Sequence, residues 1–230
     1  MKNKTILIIV AHPDDELLGC GGSIIKWIKN DFLVKVVYLS EGVTARGSLN
    51  EIKNWNEDIQ DRETMAKKYT EASGIEIIKF MRKPNLKTRE LSMLDIVKEM
   101  ASLIMEVNPS EIYTHFPGDL NSDHQVCFEA VITACRPFTG IKVDSIYSFE
   151  VPSSTSWSSS LNLPVFKPNH YIEIDAQIDQ KIEMLSFYEH EMRRFPHPRS
   201  SENIRALAQI RGSEIGSNYA EAFMLVRSVG

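Results

Sequence analysis

Residues 6–16 read Ile6-Leu7-Ile8-Ile9-Val10-Ala11-His12-Pro13-Asp14-Asp15-Glu16. An apolar run rich in β-branched residues ends abruptly in one imidazole and three carboxylates. A short continuous apolar run bounded by polar residues reads as a strand buried on both faces. Directly after it, Leu17/Leu18, Gly21, Ile24/Ile25 and Ile28 recur at the helical period. The stretch is therefore a strand that feeds a helix through an acidic turn.

The same unit repeats outward from there. Leu33–Leu39 reads as a second strand, followed by a polar loop over Glu41–Glu57 that contains Gly42 and Gly47. Asp58–Ala72 reads as a helix closed by Gly74 as its C-cap. Ile75–Phe80 is a third strand. Leu91, Leu94, Val97, Ala101, Ile104 and Val107 mark an amphipathic helix stopped at Pro109. Glu111–His115 is a fourth strand, Asp123–Cys135 a helix stopped at Pro137, and Val143–Phe149 a fifth strand. Val151–Asn169 breaks the pattern with a serine-rich stretch, residues 153–160, around Trp157. That stretch is either a surface loop or a lid whose Trp157 covers a ligand. Then come Tyr171–Ile174 (strand), Ile178–Met192 (helix), a helix through Arg211, and Glu221–Val226 as a last strand.

Strands alternating with helices predict an α/β fold: a three-layer α/β/α, Rossmann-like architecture with a mostly parallel sheet. Crossovers should be right-handed, and functional groups should lie at the carboxyl ends of the strands. The sequence has no internal repeat and no second core. Residues 1–230 are read as one domain, those after about 150 extending it and shaping its pocket.

Composition narrows the function classes. The 26 Lys and Arg against 31 Asp and Glu give a net charge of −5, which argues against a general nucleic-acid surface. The early apolar run falls far short of the roughly 20 residues a membrane span needs. It breaks at His12 without the small-residue cleavage site of a signal peptide. Cys20, Cys127 and Cys135 form no CxxC pair and read as buried small apolar residues. An odd cysteine count suits a reduced compartment, so the expected setting is cytoplasmic.

Helix capping explains one or two of the acids at residues 14–16. It does not explain His12 beside them, and clustered carboxylates repel unless a cation joins them. Gly19-Cys20-Gly21-Gly22 is not a dinucleotide loop: it lies inside the helix, and the turn before it would repel a pyrophosphate. A second cluster, His115-Phe116-Pro117-Gly118-Asp119-Leu120-Asn121-Ser122-Asp123-His124, follows the fourth strand. In a parallel sheet it opens on the same edge as the first, so His124 can meet His12 and Asp15. Two His and one Asp are the three protein ligands of a catalytic zinc with an open position.

With His12-Pro13-Asp14-Asp15-Glu16 after a strand and Asp123-His124 later, the chain resembles the PIG-L/LmbE-type metal-dependent de-N-acetylases. Ser40-Glu41-Gly42, Arg62, Arg211-Gly212-Ser213, Gly216 and Tyr219-Ala220-Glu221-Ala222-Phe223 follow in that family's order. The resemblance implies that His12, Asp15 and His124 bind zinc, that Asp14 is the general base, and that Arg62 binds substrate oxygens. Glu16 and Asp123 then orient ligands from behind. Relatives of this kind often form trimers or hexamers.

One position departs from the pattern. Where many relatives carry a second His assisting the oxyanion, this chain has Asn121. An amide donates a hydrogen bond but cannot protonate a leaving group. Either Asn121 serves only as a donor, or His115 fills in. Arg193, Arg194, Arg199, Arg205 and Arg211 make the C-terminal third basic and read mainly as a solvated face. A subset of them, or Arg46, is available to an anionic substrate such as a nucleotide sugar. His170, His190 and His197 carry no ligand signal.

The expected activity is zinc-dependent hydrolysis of the acetamido group of an N-acetylated amino sugar or glycoconjugate. Two other readings use the same residues: a non-haem iron oxygenase with a two-His-one-carboxylate site, and a non-catalytic sugar-binding domain.

Overall fold

The computed structural model describes residues 4–46, 55–158 and 162–230, with Arg46 described by its backbone only. β1 (Thr5–Val10), β2 (Leu33–Ser40), β3 (Glu76–Lys83), β4 (Glu111–His115), β5 (Ser145–Phe149), β6 (His170–Glu173) and β7 (Ala220–Ser228) form one sheet, in the order β3-β2-β1-β4-β5-β7-β6. The first five strands pair in parallel, and β7 runs antiparallel to both β5 and β6. Residues beyond 150 thus extend the same sheet.

Helices cover both faces: α1 (Asp15–Lys29), α2 (Asn56–Ser73), α3 (Met93–Val107), α4 (Ser122–Ala134), α5 (Ile178–Leu185) and α6 (Ser201–Ser213). Side chains alternate across a strand, and β1 shows the consequence. Ile6, Ile8 and Val10 pack with Leu17, Ala66, Tyr69 and Met184 of α1, α2 and α5. Leu7, Ile9 and Ala11 pack on the other face with Ile96, Met100, Val126 and Val131 of α3 and α4. All six are fully buried, and each large one contributes about 1.5–3 kcal/mol of transfer free energy. The architecture is three-layer α/β/α with a mostly parallel sheet.

Most element boundaries fall within two residues of the sequence reading, and Gly74 closes α2 in the left-handed conformation at φ 82. One helix is shorter than expected. α5 stops at Leu185, and a 3₁₀ turn over Ser186–Tyr188 follows. That turn buries Tyr188 against Tyr69, with ring centroids 6.1 Å apart, and delivers its hydroxyl to Glu16. The polar loop after β2 holds a 3₁₀ turn, Thr44–Arg46. Residues 47–54 of that loop and 159–161 of the serine-rich stretch lie outside the described residues.

α1 is held along its middle by a buried ion pair. Lys181 Nζ donates to Glu221 Oε1 at 2.6 Å and to the Leu18 carbonyl at 3.0 Å. Glu221 accepts from the backbone N–H groups of Gly22 and Ser23 at 2.8 and 2.7 Å, and from Ser23 Oγ at 2.6 Å. The glycines that resembled a nucleotide loop serve this packing: a Cβ on Gly19 would fall 2.2 Å from Phe149, and one on Gly22 2.8 Å from Ile174. Among the described residues no helix is long and apolar enough to cross a membrane.

Candidate active site

β1 and β4 are neighbours in the sheet, and the chain leaves them in opposite lateral directions. Their carboxyl ends therefore flank the switch point where α/β folds bind ligands. After β1 the backbone turns sharply through Asp14, at φ 127 and ψ −29. Residues other than glycine rarely adopt that conformation, and it costs about 1–3 kcal/mol. The Asp14 side chain makes no capping bond to α1, so capping does not account for it. Gly42, at φ 75, lets the loop after β2 lie against His12, whose Cβ is 3.2 Å from the place a Gly42 Cβ would occupy.

Asp15 is the hub. Its Oδ2 accepts from the His12 N–H at 2.9 Å and lies 3.1 Å from His12 Nδ1, 3.2 Å from His124 Nε2 and 3.5 Å from His115 Nε2. The far nitrogen of each of the first two rings meets another carboxylate. His12 Nε2 is 3.2 Å from Asp123 Oδ2, and His124 Nδ1 is 3.2 Å from Asp119 Oδ1. Asp123 is held in turn by the Leu86 N–H at 2.8 Å and Thr88 Oγ1 at 2.5 Å. Such carboxylate–imidazole pairs fix the tautomer and aim the other ring nitrogen at a metal.

His12, Asp15 and His124 form a buried group whose ligand atoms lie within 4.8 Å of one another. The donor set fits a divalent cation. Asp15 Oδ1 and both ring nitrogens of His124 are buried without an aligned hydrogen bond, although the latter sit at ion-pair distance from carboxylates. Asp14, Asp15, Glu16, Asp119, Asp123 and Glu191 are buried carboxylates, and the guanidiniums that meet them are Arg62 and Arg199.

The electrostatics follow from that crowding. Burial pulls His124 down, but Asp15 and Asp119 outweigh it and raise its pKa to about 10. Burial opposes ionisation of Asp15, yet His124 and His115 hold it well below the usual carboxylate range. Burial lifts Asp14 to about 6 against the pull of Arg62 and Arg199. It lifts Glu16 to about 8.

Arg62, on α2, reaches Asp14 Oδ1 with Nη2 at 3.2 Å and pairs with Glu191 through Nη1. Arg199 Nη1 meets Asp14 Oδ2 at 3.0 Å and Glu191 Oε2 at 3.4 Å. Asp14 is thus gripped by one arginine per oxygen, and Glu191 ties the two arginines together. Asn121 is the N-cap of α4, its Oδ1 accepting from the Asp123 N–H at 2.8 Å. His115 is fully buried. Its Nε2 accepts the Ala11 N–H at 2.8 Å, and its ring stacks on His124 with centroids 3.8 Å apart. Burial beside His124 holds it well below the usual imidazole range, so it is neutral. Glu16 touches no candidate ligand ring; it accepts the Asp14 N–H at 3.1 Å and the Tyr188 hydroxyl at 3.0 Å. The Arg46 side chain lies outside the description.

The sequence reading assigns no role to Asp119 or Glu191, and it places Arg199 only among the arginines of a mainly solvated basic face. Asp119 carried a local signal, an acid two residues before a cap, and it does accept the Asn121 N–H at 2.8 Å. Glu191 and Arg199 sit in a charged segment that reads as surface.

The sequence profile of the PIG-L family, described as GlcNAc-PI de-N-acetylase, matches residues 7–135. An Escherichia coli K12 protein named uncharacterized deacetylase YaiS is 25% identical over 158 residues, 66% of this chain and 77% of its own length. The Bacillus cereus protein named "probable N-acetyl-alpha-D-glucosaminyl L-malate deacetylase 2" is 31% identical over 142 residues, 57% of this chain and 60% of its own. N,N'-diacetylchitobiose deacetylase from Pyrococcus horikoshii superposes with a TM-score of 0.79 at 18% identity, over 98% of this chain and 84% of that one. At that identity the last likeness is one of fold.

Proposed function

The chain belongs to the PIG-L family of deacetylases, and from that premise we propose that it uses zinc to hydrolyse the acetamido group of an N-acetylated amino sugar or sugar conjugate, giving acetate and a free amine. One observation carries the reading: three convergent, buried donor atoms on His12, Asp15 and His124, with the clamped carboxylate of Asp14 next to Asp15 in the chain. The family description and the name of the Bacillus protein contain an N-acetylglucosamine unit, which makes that sugar the first probe. Neither an oxygenase nor a purely binding role gains support from these likenesses. Three buried thiols without a disulfide fit a cytoplasmic setting, and residues 1–230 are taken as one working domain.

When bound, zinc supplies Lewis acidity toward the acetyl carbonyl and lowers the pKa of a coordinated water to about 7. The remaining tasks fall to the chain. His12, Asp15 and His124 would hold the ion, and Asp123 and Asp119 orient the two rings. Asp14 takes the proton of the attacking water and passes it to the departing amine nitrogen. Arg62 and Arg199 keep its carboxylate in place before substrate arrives. Asn121 has its oxygen committed to the helix cap, which leaves its Nδ2 protons to donate to the developing oxyanion. We assign His115 to support, because its Nε2 is taken up by the Ala11 N–H and its ring is fully buried against His124.

Acetate release from a panel of N-acetylglucosamine glycosides by the purified, zinc-loaded protein tests the reading. Release that Asp14→Ala leaves near normal would remove Asp14 from its role. Unchanged zinc content in His124→Ala would remove the assigned metal site.

A further inference from the structure

Trp157 is 56% exposed, yet hydrogen bonds hold the residues that lead up to it. The Trp157 N–H donates to the Ser153 carbonyl at 2.8 Å, and Thr155 N–H to the Val151 carbonyl at 3.1 Å. Thr155 Oγ1 and Ser154 Oγ donate to Asp119 Oδ2 at 2.6 and 2.9 Å. That is the carboxylate whose other oxygen lies behind His124. Ser153 Oγ lies 3.3 Å from Arg199 Nε, on the guanidinium that grips Asp14. The loop is therefore fastened to both halves of the candidate active site, and it holds a large aromatic ring out to solvent.

The ring faces a second wall. Trp157 and His197 meet edge to face, centroids 5.4 Å apart and planes at 88°. His197 is fixed as firmly: its Nδ1 accepts the Arg199 N–H at 3.0 Å, and its carbonyl accepts from Asn203 Nδ2 at 3.0 Å. One residue, Pro198, separates it from Arg199. A rigid, half-open aromatic corner fits a flat ring with an apolar C–H face, because its π surfaces are already ordered and only partly wet.

We propose that Trp157 and His197 form a stacking subsite for a second ring, the sugar or aryl group glycosidically attached to the N-acetylated sugar. This deepens the deacetylase reading and rests on it for the orientation of the substrate. The subsite selects glycosides over the free monosaccharide, and it acts on binding, leaving the chemical step to Asp14 and the metal ligands.

Two measurements decide it. The first compares the free monosaccharide with its β-linked disaccharide and a p-nitrophenyl glycoside. Trp157→Ala should raise KM for the two glycosides about tenfold, leave kcat within about twofold, and leave KM for the monosaccharide nearly unchanged; Trp157→Phe should restore most of the loss. An equal effect on all three substrates, or none on any, overturns the subsite. The second is a fluorescence titration with the disaccharide, which needs no turnover. The ligand-induced change seen in the wild-type protein should vanish in Trp157→Phe while zinc content stays constant. Persistence of the change in Trp157→Phe, or its absence from wild type, overturns the proposal. If wild type releases no acetate from any substrate but shows the Trp157 signal, the deacetylase reading fails and the stacking site stands.

Discussion

α1 carries two buried clusters of charge, one at its start and one at its middle, and they are built on opposite principles. In the middle, the Lys181–Glu221 pair is closed: both glutamate oxygens and the ammonium have named protein partners at 2.6–3.0 Å. At the start, Asp15 gathers nitrogens on Oδ2 while Oδ1 has no partner, and both His124 ring nitrogens lack an aligned bond. Both clusters are buried. A closed network fixes one packing arrangement, whereas an open one is stable only if something outside the chain completes it. Completeness, more than burial or charge count, separates the structural cluster from the one that acts.

The contrast can be broken by substitution. Asp14→Asn keeps the side-chain shape and tolerates the positive φ, so folding should persist. Acetate release should fall about 10³-fold, near 4 kcal/mol, with zinc content by elemental analysis unchanged. Glu221→Gln strands Lys181 without a counter-charge and should cost about 3 kcal/mol in urea unfolding. Adding Lys181→Met should recover part of that, and a single variant as stable as wild type would mean the pair is not the brace described. Asp119→Asn should weaken zinc binding about tenfold, roughly 1.4 kcal/mol, read by competition with a chelator. No comparable loss is expected in unfolding after zinc is stripped from both proteins.

A third, wet cluster sets the lower end of the scale. Glu99 pairs with Lys79 at 2.9 Å and Lys83 at 2.8 Å. Burial opposes its ionisation, but the two lysines together outweigh it and lower its pKa. Its folded pKa is depressed, so its stabilisation is present above the unfolded value and is lost as pH falls through the folded one. Glu99→Gln should cost about 0.5 kcal/mol at neutral pH, and the difference from wild type should close as the pH falls through the lowered folded pKa of Glu99.

What the sequence disclosed follows the range of the forces involved. β1 was legible because six consecutive apolar residues admit few other environments, and α2 because Gly74 ends it through its own backbone preference. His12, Asp15 and His124 were legible because each sits within a few residues of a strand end, so strand order alone brings them together. Arg199 reaches Asp14 across 185 positions, and Glu191 and Arg62 meet across 129. Nothing local distinguishes those side chains from solvated ones. The early end of α5 was hidden for the same reason: Ser186–Tyr188 turn to bury Tyr188 against residues of α1 and α2. The placement of β7 between β5 and β6 depends on pairing between antiparallel edges, which leaves no periodic trace.

The contact between His12 and Asp123 spans 111 positions, and this has a kinetic consequence. No short peptide fragment of the chain can contain the three candidate ligands. It comes into being only once β1 has found β4, with β2, α2, β3 and α3 looped out between them. Closing a flexible loop of that length costs on the order of 4 kcal/mol of chain entropy by the logarithmic estimate. An ion held jointly by His12 and His124 binds only chains that have already closed it. At a hundredfold excess over its dissociation constant such an ion adds about 2.7 kcal/mol to the native state, so the group that would activate water would also act as a clasp, slowing the separation of the two central strands.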